Sequence, residues 1–210
     1  MKIITPSQGA LPFGDIEVQE IRSVLQGGGV IVYPTDTLYG LGVDVSSLEA
    51  VDKLYNLKSR GNSPVSVLTE SVDHLLGLVK DIDEKGAEMI KAFMPGALTV
   101  ICKSEQSFDP PISSQNGSVG FRVPGDPIST LLPGILGKPI STTSVNPAGL
   151  APATSLEEVK AYYGEQIDLM IDVGPIQPSK GSTVIDLTNH PYKILREGEI
   201  SRQSLQDFLN

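Results

Sequence analysis

The sequence has no tryptophan, one cysteine and two histidines among 210 residues. A single thiol, Cys102, excludes an internal disulfide framework and any zinc cage built from thiolates. It lies in the apolar run Thr99-Val100-Ile101-Cys102 and reads as a small core residue. His74 and His190 stand alone in sequence, one on an expected surface helix and one before a proline, so neither reads as catalytic. Also missing are the phosphate-binding G-x-x-x-x-G-K-[ST] loop, a dinucleotide-binding G-x-G-x-x-G, the G-x-S-x-G nucleophile elbow and H-E-x-x-H. No apolar run approaches the ~18 residues of a membrane-spanning helix. Met1–Ala10 lacks the basic-then-apolar order of a secretory signal, so a soluble, cytoplasmic protein is expected. Basic residues are scarce: 16 Lys and Arg stand against 25 Asp and Glu, a net charge of −9. Aromatic residues make up 5%. Both figures argue against a protein whose main task is gripping phosphate backbone or stacking on bases, though a local basic pocket is compatible with them.

What is present is an apolar fraction of 40%, enough for one packed core, with 21 glycines and 16 prolines that imply many turns. Helical spacing of Ile16, Ile21, Val24 and Leu25 predicts a helix over Asp15–Gln26, stopped by Gly27-Gly28-Gly29. Capping boxes at Ser46–Glu49 and Thr154–Glu157 open helices to about Leu57 and Tyr163. Two helices are expected between Ser71 and Phe93, one after Asp126-Pro127 and a last one over Ser201–Leu209. Strands are expected at Val30–Tyr33, Val65–Leu68, Ala97–Lys103, Val119–Val123, Pro139–Thr143, Leu169–Val173, Thr183–Leu187 and Lys193–Arg196. No segment is long and polar enough to be a linker. The expectation is one α/β domain over residues 1–210, an open twisted mixed sheet flanked by helices.

Polar residues gather at the ends of these strands. Tyr33–Gly42 runs from an apolar strand into a Pro/Gly turn carrying Thr35, Asp36 and Thr37. Its hydroxyls suit a small zwitterion or a phosphate, and they suit equally a turn that caps its own backbone. Lys58-x-Arg60 leaves a helix and continues to Ser63-Pro64. Two cations so spaced can converge on one anion, or simply complement the helix dipole. Arg122 interrupts the apolar strand Val119–Val123. A charge there is paired or faces a pocket, unless the strand lies at an edge facing water. Ser141–Gly149 concentrates hydroxyls and the amide of Asn146 without a charge, and Gly181–Asp186 and Leu195–Gly198 again place polar groups at strand mouths.

Across these six segments the sequence resembles the YrdC-like family, the threonylcarbamoyl-AMP synthases of single-domain type. The resemblance rests on Pro34–Gly42, Lys58-x-Arg60, Arg122 within Gly120–Pro124, Ser144-x-Asn146, Ser182–Asp186 and Leu195-Arg196-x-Gly198, in order from about Asp15 to Ile200. It implies an open α/β sheet with a central concave, cationic cavity. It also implies an ATP-dependent condensation of L-threonine with bicarbonate or CO2, releasing pyrophosphate and L-threonylcarbamoyl-AMP for a downstream threonylcarbamoyl transferase acting on tRNA. On this resemblance Thr37, Arg122, Thr142 and Ser182 hold threonine, while Lys58, Arg60, Ser63, Ser118, Ser144, Asn146 and Arg196 line the nucleotide side. Lys58 and Arg60 are the catalytic pair, and Mg2+ arrives with the ATP. In-line attack at phosphorus needs positioning and charge neutralisation, not a protein nucleophile, so the shortage of histidine and cysteine is no obstacle. Gly61, Ser63, Leu68 and Glu197 depart from the usual pattern of the synthases. The sequence Arg196-Glu197-Gly198 is similar to that of the YciO branch, which leaves a YciO-like nucleotide- or RNA-binding protein with weak or different activity as the alternative, and a basic concavity is compatible with transient tRNA contact.

Overall fold

The computed structural model describes residues 1–7, 12–58 and 64–209. Among the described residues, eleven strands form one mixed sheet. They are β1 (Lys2–Ile4), β2 (Ile31–Tyr33), β3 (Gly40–Gly42), β4 (Ser66–Leu68), β5 (Val79–Lys80), β6 (Leu98–Ser104), β7 (Ser118–Arg122), β8 (Ile140–Ser144), β9 (Leu169–Ile171), β10 (Thr183–Asp186) and β11 (Lys193–Arg196). Six α-helices among the described residues pack on it: α1 (Asp15–Gln26), α2 (Leu48–Leu57), α3 (Val72–Leu78), α4 (Glu84–Phe93), α5 (Pro127–Leu136) and α6 (Leu156–Tyr163). The spatial order is β1-β9-β2-β3-β8-β4-β7-β6-β10-β11, and β5 pairs with the end of β6. β1/β9, β2/β9, β4/β7 and β6/β10 are parallel, and the other pairs are antiparallel. No described helix is long and apolar enough to cross a membrane.

Successive side chains of a strand point to opposite faces, so each strand divides its residues between two environments. One face carries the larger core: Val32, Leu41, Val67, Val100, Val119, Phe121 and Ile185, with Leu54 of α2 and Ile90 of α4. On the other face, Ile31, Tyr33, Leu68, Ile140 and Ile171 pack against Ile21 and Leu25 of α1 and Leu132 and Leu136 of α5. That second layer ends at β4 and β8. Beyond it, the same face of β6, β7 and β10 presents the cavity described below.

Several expectations are corrected by one residue or by one element. The N-cap of α2 is Ser47, whose hydroxyl accepts from Ala50 N–H at 3.2 Å, while Ser46 instead donates to Asp44. The N-cap of α6 is Ser155, and Glu158, not Glu157, reaches back, to Thr154 N–H at 2.6 Å. Ser201–Leu209 is a 3-10 helix over Gln203–Phe208. β3 lies where a turn is expected. Its glycines suit the strand because the Tyr33 ring covers them: a Cβ on Gly40 or Gly42 would meet that ring at 2.9 or 2.8 Å.

Candidate active site

A concave cavity of about 400 Å³ opens on the sheet face that α1 and α5 leave uncovered. Its floor follows the two-residue period of the strands. Ser118, Gly120 and Arg122 line it from β7, Thr99 and Ile101 from β6, Thr142 and Ser144 from β8, and Ser66 from β4. Ser182 lines it just before β10, Val184 from β10 itself and Arg196 from the end of β11. The alternate residues Val119, Phe121, Val100 and Val67 are in the core behind it.

Arg122 is buried in an interior strand, between β4 and β6, which excludes an edge position facing water. Its Nη2 donates to the Asp36 carboxylate and to Thr37 Oγ1 at 3.1 Å, and its Nε reaches Gly96 O at 3.3 Å. Burial makes the guanidinium less basic than usual, and Asp36 and Tyr33 oppose that shift. A guanidinium keeps its charge in proteins. Nη1 makes no hydrogen bond among the described residues, so the fork has one arm fixed by the protein and one available to a ligand. In the Asp36 loop both readings of the turn apply, to different residues. Thr35 Oγ1 accepts from Leu38 N–H at 3.1 Å and donates to Leu38 O at 2.6 Å, an ordinary self-capping turn, and so leaves Thr37 aimed at Arg122.

Lys58 is the C-cap of α2, yet it does more than complement the dipole. It is 4% exposed, and its ammonium donates to Ser144 O, to Thr143 Oγ1 at 3.2 Å and to Asn146 Oδ1 at 3.3 Å. Ser144 Oγ also donates to Asn146 Oδ1 at 2.5 Å, and Asn146 Nδ2 donates to Leu150 O at 2.7 Å. Lys58 thus secures the strand end that carries Ser144 to the cavity. On the opposite wall, Arg196 Nη2 donates to Ser182 O at 2.8 Å and Ser182 Oγ at 3.2 Å, and Ser182 Oγ meets Thr99 Oγ1 at 2.8 Å. Ser118 Oγ lies 2.8 Å from Ser114 Oγ.

Thr37, Ser118, Arg122, Thr142, Ser144, Ser182 and Arg196 therefore line one cavity, with Lys58 and Asn146 joined to its rim through Ser144. Arg60 and Ser63 lie outside the described residues. Asp36, Ser66, Thr99 and Lys180 were not singled out by sequence as site residues. The period-two alignment of Ser66 and Thr99 with neighbouring strands is the signal that finds those two. Cys102, buried in the core, and the two histidines do not line the cavity. His190 Nε2 meets Asp83 Oδ2 at 2.8 Å, with its ring stacked on Tyr192. The Tyr192 hydroxyl, more than His190, holds the Asp83 carboxyl below its usual range.

The segment 172–182, between β9 and β10, crosses the cavity edge as a strap without strand pairing. The Tyr39 hydroxyl donates to Gly174 O at 2.8 Å and accepts from Val173 N–H at 3.1 Å. Burial first, and the charge of Asp172 further, push that phenol up to about 12, so it stays a donor. Farther along, Glu199 Oε1 accepts from Ser179 Oγ at 2.7 Å and Lys180 N–H at 2.8 Å. A second cavity of about 420 Å³ adjoins the strap, lined by Asp36, Gln177, Ser179 and Glu199, and shares Thr35 and Thr37 with the first. No group of three His, Cys, Asp or Glu side chains among the described residues gathers to hold a metal ion.

The family model for Sua5, yciO and yrdC proteins, described as "Telomere recombination", matches residues 23–198. The chain is 33% identical over 186 residues to a protein of Mycobacterium tuberculosis (strain ATCC 25618 / H37Rv), covering 88% of this chain and 85% of that one. It is 30% identical over 190 residues to the protein named threonylcarbamoyl-AMP synthase of Stutzerimonas stutzeri (strain A1501), covering 90% and 98%. Among solved structures it superposes on P. abyssi Sua5 complexed with L-threonine with a TM-score of 0.90 at 26% identity, covering 100% of this chain and 61% of that one. On E. coli YciO the TM-score is 0.85 at 27% identity, covering 99% and 98%. The chain thus spans about three fifths of the Sua5 structure and nearly all of YciO. With most of its length inside the family model and this fold beneath it, the chain belongs to the Sua5/YciO/YrdC family.

Proposed function

We propose that the chain is an L-threonylcarbamoyl-AMP synthase. The observation that carries the reading is the buried Arg122, held on one side by Asp36 and Thr37, on the floor of a hydroxyl-lined cavity whose far walls carry Arg196 and the Lys58-tied Ser144. Arg122 pairs the carboxylate of L-threonine through its available arm, and Thr37, Thr142 and Ser182 orient the amino acid. The amine attacks the carbon of CO2 and loses a proton to give the carbamate; where the carbon is supplied as bicarbonate, one of its oxygens leaves as water. An oxygen of the resulting carbamate attacks the α-phosphorus of ATP, and the bond to the β-phosphate breaks to release pyrophosphate. Lys58, Arg60 and Arg196 neutralise the phosphate oxygens, while Ser63, Ser118, Ser144 and Asn146 set the nucleotide in line. Positioning and charge neutralisation are the main demands of such a transfer. The donors of the cavity are hydroxyls and cations, so Mg2+ enters on the triphosphate and is not caged by protein carboxylates.

The product is handed to a threonylcarbamoyl transferase acting on tRNA in the cytoplasm, with direct tRNA contact by this chain no more than transient. Relatives named threonylcarbamoyl-AMP synthase support the reading. The test is pyrophosphate release from ATP and bicarbonate with and without L-threonine. Threonine-dependent release is expected, and folded protein that releases none overturns the proposal. A second reading, a YciO-like protein that binds a nucleotide or RNA with another activity, is favoured by Arg196-Glu197-Gly198 and by the end-to-end match to YciO. ATP binding without threonine-dependent turnover is its signature.

A further inference from the structure

Lys180 lines the main cavity beside Gly181, Ser182 and Arg196; its ammonium makes no hydrogen bond among the described residues, and the Glu199 carboxylate, held below its usual range first by Ser179 and Lys180 N–H, feels its charge as a lesser effect. Its backbone is fixed. Lys180 N–H and Ser179 Oγ both donate to Glu199 Oε1, Gly181 N–H donates to Ser179 Oγ at 3.0 Å, and Glu199 N–H donates to Gly181 O at 2.9 Å. Gly198 packs so closely beneath that a Cβ there would lie 2.2 Å from Gly181 O. The strap is also tied at Gly174 by Tyr39 and at Ile176, whose N–H donates to Thr154 O at 2.9 Å. A flexible four-carbon stem with a compact charge thus rises from a rigid base. Arg196 is its neighbour, with Nη2 3.7 Å from the point a methyl on Gly181 would occupy. This wall belongs to β10 and β11, whereas the Lys58 cluster closes the end of β8, four strands away.

We infer that Lys180 is a phosphate-contacting residue that, with Arg196, binds the β,γ-phosphate end of ATP and the pyrophosphate that leaves from it. The inference rests on the synthase reading for its place in the reaction. Its chemistry requires only a polyphosphate anion. A lysine suits a leaving group because its single charge has no fixed fork to unlock, in contrast to the bidentate geometry of arginine.

The experiment compares the parent chain with Lys180→Ala and Lys180→Arg in two measurements. In the first, pyrophosphate release is followed while ATP and then threonine is varied, and pyrophosphate is titrated as product inhibitor. Lys180→Ala is expected to raise the KM for ATP and the inhibition constant of pyrophosphate about tenfold, the size of one lost charge-assisted contact. The KM for threonine should change less than about twofold, and Lys180→Arg should recover most of the loss. In the second, pyrophosphate with Mg2+ is titrated calorimetrically into the full chain without threonine, where the same order of affinities is expected. A parent chain that binds pyrophosphate but turns nothing over defeats the synthase reading and leaves the calorimetry to decide Lys180. Unchanged pyrophosphate affinity in Lys180→Ala, or a parent that binds no pyrophosphate at all, overturns the inference.

Discussion

Asp36 and Arg122 are paired across 86 residues of sequence, the carboxylate of the loop after β2 against Nη2 of a guanidinium on β7. Both lie mainly inside the protein, with 19% and 7% of their side chains exposed. Taking two charges out of water is offset only when the geometry is good and the remaining donors find partners. Thr37 and Gly96 supply two of those partners. The remaining arm makes no hydrogen bond among the described residues.

Arg122→Lys keeps the charge and loses the fork. It is expected to raise the KM for threonine at least about tenfold, with the KM for ATP nearly unchanged, in a pyrophosphate-release assay. Asp36→Asn keeps an acceptor but leaves the guanidinium short of a counter-charge. It should lower stability by about 1–2 kcal/mol in urea unfolding, a figure reduced because Asp36 is partly wet.

Lys58→Ala removes three hydrogen bonds that tie α2 to the end of β8. Stability and turnover should fall together, the first by about 1 kcal/mol, since three hydrogen bonds from an ammonium are lost while Ser144 O and Asn146 Oδ1 keep the donors Asn146 N–H and Ser144 Oγ. A variant with normal unfolding and abolished turnover would show that Lys58 acts on the nucleotide alone.

Gly198→Ala places a methyl 2.2 Å from Gly181 O and 2.5 Å from Ser182 C. Both contacts are backbone, so the strap must shift. The expected result is a loss of about 3 kcal/mol or more by thermal or denaturant unfolding, with pyrophosphate affinity falling too. An unchanged Tm would mean the strap is not seated against Gly198.

Burial, and secondarily the charge of Asp186, push the Cys102 thiol up to about 12. Its neutral form is therefore favoured throughout the physiological range, and raising the pH from 7 to 9 leaves it a thiol. Against a free thiol its thiolate fraction at pH 8 is roughly a thousandfold lower. Disulfide-exchange reagents should label it only as fast as the protein unfolds, and rapid stoichiometric labelling of native protein would contradict the buried placement.

Where local chemistry decides structure, the sequence was readable. α1 begins and ends as its apolar spacing and triple glycine predict, and the Asp126 carboxylate caps α5 through the N–H groups of Ile128 and Ser129. The shifted caps at Ser47 and Ser155 show the limit of that reading. Neighbouring hydroxyls are equivalent in sequence, and only the backbone path decides which meets the third amide. β3 was hidden because its glycines argue for a turn, and the reason for them, the ring of Tyr33, lies on another strand. Arg122 was legible as a charge inside an apolar strand. Its partner was not, because the contact depends on the sheet order that carries the loop after β2 over β7.

Two residues lining the cavity, Gly120 and Gly181, have no side chain and no ring packed over them, so part of its volume is space that ordinary residues would occupy. The dimensions of the chamber can therefore be altered without touching any of its charges. At Gly120 a methyl would meet the Ser66 hydroxyl at 2.8 Å, a group that can rotate away, with Ser66 Cβ and Cα at ordinary contact distances of 3.4 and 3.6 Å, so the fold can absorb it while the floor rises. Crowding by one methyl discriminates between ligands by roughly ten- to two-hundredfold. The middle of β7 is thus a natural adjustment point for how large a ligand the chamber admits, with Arg122 left as it is.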